Sequence, residues 1–353
     1  MTNKLSNLRE FLSFSRSGEG GAKRRMWVRD GSRMDRAVGG AALSANRSNP
    51  TSGPSDHLLP MGEGRKIVAS LIVGCTVFAT TTFAATPLTD DWAKLNEPME
   101  PFHVIGPIYD VGMKGLDVYF IRTQNGAVLI DGGFEQSADQ IEANIAKLGF
   151  SIKDVKFIIN EHAHIDHAGG IDKLRRDSKG AVIANAADVP ALNLGHVDYG
   201  PSAGAQYPPV YVDVQVGDHD SFTVGSLTFF AHATPGHTKG CTAWTMRFWE
   251  NFHEHTAIFT CSITVAGNPI AHNPPTYPRM TADYRKSFAT LRGVYADVVL
   301  APHPGIWNRD EKLARAAKEG DGAFVDKTEL RRLVDDAEKD FDDQLAKQKA
   351  QGQ

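Results

Sequence analysis

From about residue 102 onward, apolar positions switch repeatedly between strand-like and helix-like spacing. His103–Val111 and Val118–Thr123 have strand character, and Ala127–Ile130 is a short apolar run closed by Asp131-Gly132-Gly133. Ala138–Leu148 places Ile141, Ile145 and Leu148 on one helical face, and Val155–Ile159 is an apolar run of buried-strand type. Strand patterns resume at Ala181–Ile183, Ser226–Phe230, Cys241–Phe248 and Ala257–Thr260. A helix over Ala282–Val294 leads to a strand at Asp297–Leu300, and a charged amphipathic helix covers about 327–348. Strands interleaved with helices, without an internal repeat, predict an α/β fold in which helices cover mixed sheets.

The first 85 residues do not share this pattern. Residues 1–60 carry ten basic and five acidic residues, are rich in Gly and Ser, and hold no sustained apolar period. Such a segment buries too little surface to offset its conformational entropy, so it is expected to be a disordered extension or the product of a start assigned too far upstream. Met61, Arg65 and Lys66, the apolar run Ile67–Ala79 and the small-residue end Thr82-Phe83-Ala84-Ala85 together make a secretory signal peptide over 61–84. As a membrane anchor the run is diluted by Gly74 and four threonines, and it is shorter than the roughly 20 residues a spanning helix needs. The mature chain is then expected to be a single periplasmic domain, 85–353, in a compartment that permits disulfides.

Composition narrows the function classes. Of 353 residues, 41% are hydrophobic and 23% charged, which excludes a disordered chain and a polytopic membrane protein. The formal charge is −4, but residues 1–84 hold 12 basic and 6 acidic residues, so 26 basic and 36 acidic residues remain beyond them, a charge of −10. Nucleic acid is therefore not an expected partner, since binding it needs a concentrated basic face. Nor is a membrane, once the signal peptide is cleaved.

The chemistry concentrates in Phe157-Ile-Ile-Asn-Glu161-His162-Ala-His164-Ile-Asp166-His167-Ala-Gly-Gly170, where an apolar strand runs into three histidines and an aspartate. Imidazole nitrogen and carboxylate oxygen are the usual non-thiolate ligands of zinc. His162 and His164, on alternate positions of extended backbone, point the same way and can reach one metal, while Asp166 and His167 continue past the turn toward a second. Two metals about 3.5–4 Å apart can stabilise both the attacking and the leaving group. Distant ligands are needed to complete both sites. His237, in the Pro-Gly turn of Thr234-Pro-Gly-His237-Thr-Lys-Gly240, and His303, in Ala301-Pro-His303-Pro-Gly305, both lie at strand exits. The expected sets are His162, His164 and His237 for one zinc and Asp166, His167 and His303 for the other. His196, His219, His253, His255 and His272 read as surface or satisfied polar residues, and His232 as strand packing.

This constellation resembles the metallo-β-lactamase superfamily, over about 102–350. The resemblance implies an αββα sandwich, two packed mixed β-sheets flanked by helices, with two zinc ions at one end. It also implies that Asp131 supports the ligands from behind. Thioesterases, lactonases and phosphodiesterases of that fold carry a bridging aspartate on the strand that here reads Ile258-Phe-Thr-Cys261-Ser262-Ile-Thr264-Val-Ala266, which has no carboxylate. That departure, Ser262 in place of a metal-binding cysteine, and the downstream runs Tyr277–Ala289 and Ala301–Gly305 resemble subclass B3 metallo-β-lactamases. For Cys261 the resemblance favours a disulfide to Cys241, as in some subclass B3 enzymes, over metal ligation; the third cysteine, Cys75, leaves with the signal peptide.

The implied activity is hydrolysis of penicillins, cephalosporins and carbapenems by attack of a metal-bridging hydroxide, giving antibiotic resistance. Asp166 would orient the hydroxide, and Ser262 and Thr264 would bind the substrate carboxylate. A small-molecule β-lactam is thus the expected partner, and a monomer the expected state. Pro101–Lys114 and Asn193–Pro209 are expected to flank the cleft, with Phe102, Tyr199 and Tyr207 either touching substrate or packing locally. Competing readings are another hydrolase of the fold, a lactonase or thioesterase, and a non-catalytic zinc-binding module.

Overall fold

Apolar runs without polar alternation, such as Ala127–Ile130 and Ala181–Ile183, become central strands, because only a strand covered on both faces can be apolar throughout. The computed structural model describes residues 86–272 and 275–352 and the backbone of Phe14–Arg16. The expected signal peptide at 61–84, with Cys75, and the remainder of the expected extension 1–60 lie outside the described residues.

Strands are numbered in chain order. Among the described residues one sheet has seven, in the order β2 (Phe102–Ile105), β3 (Ile108–Asp110), β4 (Tyr119–Thr123), β5 (Gly126–Ile130), β6 (Val155–Ile159), β7 (Ala181–Asn185) and β8 (Val214–Val216). β2 to β5 pair antiparallel and β5 to β8 parallel. The other has six, in the order β1 (Phe14–Arg16), β9 (Asp220–Val224), β10 (Leu227–Ala233), β11 (Thr242–Glu250), β12 (His253–Phe259) and β13 (Val298–Leu300). All its pairs are antiparallel except β12 with β13.

Side-chain alternation divides the apolar residues among three cores. Val104, Ile121, Phe157, Phe222, Trp244, Met246 and Phe259 fill the space between the sheets. Ile158 and Leu129 point the other way, onto Ile141 and Ile145 of the helix Ala138–Lys147 and Leu174 of the helix Ile171–Ser178. Ile258 and Val299 point outward from the second sheet, onto Tyr284 and Phe288 of the helix Met280–Arg292 and Val334 and Phe341 of the helix Glu329–Ala350. The result is helix, sheet, sheet, helix, as the αββα expectation required. Among the described residues no helix is long and apolar enough to cross a membrane.

Several elements differ from the pattern-based reading: β8, β9 and the short helices Asp90–Leu95 and Val189–Leu194 have no counterpart in it, and two further differences have a visible physical cause. His103–Val111 is not one strand but the hairpin β2–β3, turned at Gly106-Pro107. Gly106 sits at φ +56°, and a Cβ there would come within 2.5 Å of the Phe248 ring, so the turn needs both glycine's conformational freedom and its lack of a side chain. The helix Arg309–Glu319 has no apolar period to mark it, because its sequence is largely polar. Only Leu313 and Ala316 lean on the intersheet core.

Cys241 and Cys261 form a disulfide with Cα atoms 5.8 Å apart, linking the start of β11 to the segment just past β12. Cys261 is therefore not left as a metal thiolate. The bridge spans 20 positions of chain, and closing a loop of that size restricts the unfolded state by about 3 kcal/mol. Replacing both cysteines by serine is expected to lower unfolding free energy by about that amount, read as a lower urea midpoint with an m-value that stays the same or rises slightly as the unfolded chain expands. An unchanged midpoint would refute it.

Candidate metal centre

β6 delivers the chain directly to the centre. Beyond Asn160 and Glu161, His164 has extended backbone dihedrals (φ −76°, ψ 154°), and the single helical turn Ile165–Ala168 then redirects Asp166 and His167. His237 comes from the turn after β10, where Gly236 at φ +145° lies so close to Tyr284 that a Cβ would meet its ring at 2.8 Å. His303 follows β13, and Asp131 ends β5. Every one of these residues leaves the C-terminal end of a strand, so the sheets gather distant sequence at one edge of the sandwich.

Two clusters result. His162 Nε2 lies 3.1 Å from His164 Nδ1, which lies 3.0 Å from His237 Nε2. Beside them, Asp166 Oδ2 is 3.2 Å from His167 Nε2 and 3.6 Å from His303 Nε2. His162, His164, His167 and His237 are buried, whereas the side chains of Asp166 and His303 keep 21% and 28% exposure, which places the open side of the centre at the second cluster.

Burial and then the neighbouring imidazoles drive His162 well below the usual histidine range. Burial likewise pushes His164 down to about 3 and His237 down to about 4. His303 is lowered by burial and His167. Burial opposes ionisation of Asp166, but His167, His303 and His164 outweigh it and hold the carboxyl well below its ordinary value. For His167, burial is outweighed by Asp166 and Asp131, which raise it. The lowered imidazoles of His162, His164, His237 and His303, offering lone pairs beside the ionised carboxylate of Asp166, are the kind of donor set that a divalent metal of zinc's type requires, and His167 would join it on giving up its proton. The residues present fit the group.

The imidazoles are oriented from behind. His237 Nδ1 donates to the Thr264 carbonyl at 2.9 Å, and His303 Nδ1 to the Gly115 carbonyl at 3.1 Å. Asp131 adopts φ 65°, a left-handed conformation an aspartate tolerates, and its Oδ2 lies 3.3 Å from His167 Nδ1. Its Oδ1 accepts from Asn160 Nδ2 at 3.0 Å and from the Glu161 backbone at 2.9 Å.

Sequence reasoning missed Asp188. An aspartate just before a helix reads as a cap, but this one makes no cap hydrogen bond. Its buried carboxylate instead accepts from Ala163 N (3.0 Å), Thr238 Oγ1 (2.7 Å) and Gly240 N (2.7 Å). It thus ties the loop holding His162 and His164 to the turn holding His237. Gly240 must be glycine here, since a Cβ would lie 2.6 Å from the Asp188 carboxyl carbon. Burial pushes Asp188 up to about 6 against those three hydrogen bonds.

Ser262 is buried beside the disulfide and Thr264 is exposed. The carbonyl of Thr264 accepts from both His237 and Tyr284. Of the flanking aromatics, Tyr207 is buried with its hydroxyl donating to the Ala163 carbonyl, and Tyr199 packs on Tyr277 and accepts from Lys239 N. Phe102 leans on the intersheet core. All three pack locally. His232 Nε2 meets Thr245 Oγ1 across β10 and β11, as strand packing requires, and His255 pairs with Asp297.

Comparison with known proteins agrees with this geometry. Residues 114–247 match the model of the metallo-beta-lactamase superfamily, a span that includes His162–His167 and His237 but ends before Ser262 and His303. The crystal structure of BJP-1, a subclass B3 metallo-beta-lactamase of Bradyrhizobium japonicum, is similar at 38% identity and TM-score 0.70, over 74% of this chain and 98% of that one. A metallo-beta-lactamase of Cronobacter sakazakii is similar at 35% identity and TM-score 0.70, over 73% and 99%. Among curated sequences, a hydroxyacylglutathione hydrolase of Pseudomonas savastanoi pv. phaseolicola is 34% identical over 84 residues, 24% of this chain, so the match spans only a quarter of that relative's length. Its fold, its histidine-rich centre and these relatives together establish that the chain belongs to the metallo-beta-lactamase superfamily of hydrolases, on the side of its subclass B3 members.

Proposed function

We propose that the protein opens the ring of β-lactam antibiotics, with His162, His164 and His237 holding one zinc and Asp166, His167 and His303 a second. The observation that carries the reading is the convergence of these six side chains at the edge of a fold whose solved relatives include subclass B3 β-lactamases. Zinc bound there supplies a nucleophile from water near neutral pH and polarises a carbonyl. The protein's own part is to hold His162, His164, His237 and His303 neutral through burial, to keep Asp166 ionised at the open side, and to exclude water from the His162 side. Asp166 orients the attacking water, and Ser262 and Thr264 hydrogen-bond the substrate carboxylate. Residues 85–353 would act as one periplasmic, monomeric domain after removal of the leader, conferring resistance to penicillins, cephalosporins and carbapenems.

Dialysis against a chelator is expected to abolish hydrolysis of a carbapenem followed by ultraviolet absorbance, and added zinc to restore it. Chelator-resistant turnover, or none with zinc, would reject the proposal. A thioesterase reading draws on the 84-residue match to the hydroxyacylglutathione hydrolase. Against it stands the lack of a carboxylate between Ile258 and Ala266. Turnover of a glutathione thioester much faster than any β-lactam would select it.

A further inference from the structure

Glu161 is spent on no role described so far. It precedes His162 at the end of an apolar run, a position where a carboxylate is costly to bury, yet it is only 2% exposed. Among the described residues its ion-pair partners are two imidazoles and no lysine or arginine: Oε1 lies 3.3 Å from His162 Nδ1 and 3.5 Å from His167 Nδ1. One of these histidines comes from each proposed triad.

We propose that Glu161 is a positioning residue that fixes the tautomer of His162 and links the two ligand sets through His167, an inference that rests on the metal reading above. His162 turns Nε2 toward His164 and His237. For that nitrogen to offer a lone pair, the imidazole proton must sit on Nδ1, which then needs an acceptor. His162 Nδ1 and Glu161 Oε1 are both buried and both without an aligned hydrogen-bond partner. They are complementary, one a donor and the other an acceptor, and already within reach of each other. A small rotation of either side chain satisfies both.

The other ligands show what His162 otherwise lacks. His237 and His303 donate to backbone carbonyls, and His167 has Asp131. A carboxylate behind an imidazole fixes its ring and raises its basicity. The main chain of Glu161 is fixed from two sides. Its N–H donates to Asp131 Oδ1 at 2.9 Å, and its carbonyl accepts from Thr242 N at 2.9 Å, beside the disulfide. The backbone is thus anchored to both sheets, and the carboxylate faces His162 and His167, with the Asp131 carboxylate beside it.

The test is zinc affinity by competition with a chromophoric chelator, and the d–d absorption of the cobalt-substituted protein, for the wild type, Glu161→Leu and Glu161→Gln. Glu161→Leu is expected to weaken zinc about 10- to 100-fold, the usual loss for a partner behind a ligand, and to alter the cobalt band. Glu161→Gln, which keeps a carbonyl acceptor, restores most of the affinity. Equal zinc affinity and cobalt spectra in the wild type and Glu161→Leu would overturn this inference and leave the metal reading standing. A wild type that takes up no zinc would overturn both. Should Glu161→Leu fail to fold, the Nδ1 proton of His162 in the zinc-loaded protein decides by nuclear magnetic resonance. Its resonance moves upfield in Glu161→Gln, because an amide is a weaker acceptor than a carboxylate, and an unchanged resonance overturns the proposal.

Discussion

Replacing His237 by alanine is expected to lower kcat/KM for a carbapenem by about 1,000-fold, the several kcal/mol that a metal's charge contributes to a reacting carbonyl, while the protein stays folded. His237 is the one member of its cluster that does not come from the His162–His167 segment. It closes the group from the opposite sheet, with Nε2 3.0 Å from His164 Nδ1 and Nδ1 held by Thr264. Alanine leaves His162 and His164 in place as a two-nitrogen site, which binds zinc weakly and positions it poorly. The fold has little stake in this side chain, because the turn is held by Asp188 through Thr238 and Gly240. Zinc content, kcat/KM and melting temperature should therefore separate: the first two fall and the third barely moves in metal-free protein. Activity within tenfold of wild type at saturating zinc would mean that the first cluster is not where the carbonyl is polarised.

Arg309→Met is expected to act the other way, through stability, with a loss of about 3–5 kcal/mol. Arg309 is 2% exposed and reaches beneath the wall of the site. Its Nη1 donates to Asp117 Oδ1 at 2.6 Å, and its Nη2 to the Lys114 carbonyl at 2.7 Å. Trp307 Nε1 donates to the other Asp117 oxygen at 2.9 Å. Asp110 lies nearby, wholly buried and raised well above its usual value by burial and then by Asp117. Removing the guanidinium would leave a buried carboxylate pair without its cation, and a buried charge stripped of its partner costs far more than the intact pair contributes. The effect should reach the site as well. Asp117 N donates to the Pro302 carbonyl, and the next residue, His303, donates to Gly115. Urea unfolding of metal-free Arg309→Met measures the stability term, and zinc stoichiometry measures the site term. Arg309→Lys, which keeps the charge without the planar fork, should fall between. A loss under about 1 kcal/mol, as for an exposed pair, would show that water reaches the cluster.

The two experiments probe parts of the molecule that were unequally visible from the chain alone. Sequence by itself determined the fold class, because apolar runs fit only strands covered on both faces and helical spacing fits only outer layers. It also grouped His162, His164, Asp166, His167, His237 and His303, since imidazole and carboxylate at strand exits form a pattern that survives without coordinates, and it named Cys241 and Cys261 as partners by resemblance. The hairpin at Gly106 was hidden because a period-2 pattern continues across a tight turn whose cause, the Phe248 ring, is remote in sequence. Only the tertiary structure decided what stands behind these side chains. Thr264 and Gly115 act through carbonyl groups that every residue carries, so no side-chain signature marks them. Asp188 and Asp117 look like turn or surface acids until the donors that converge on them, from segments dozens of residues away, are brought into place. The atoms proposed to face a metal follow from local chemistry, whereas their orientation and basicity come from long-range hydrogen bonds, which exist only once the two sheets have packed.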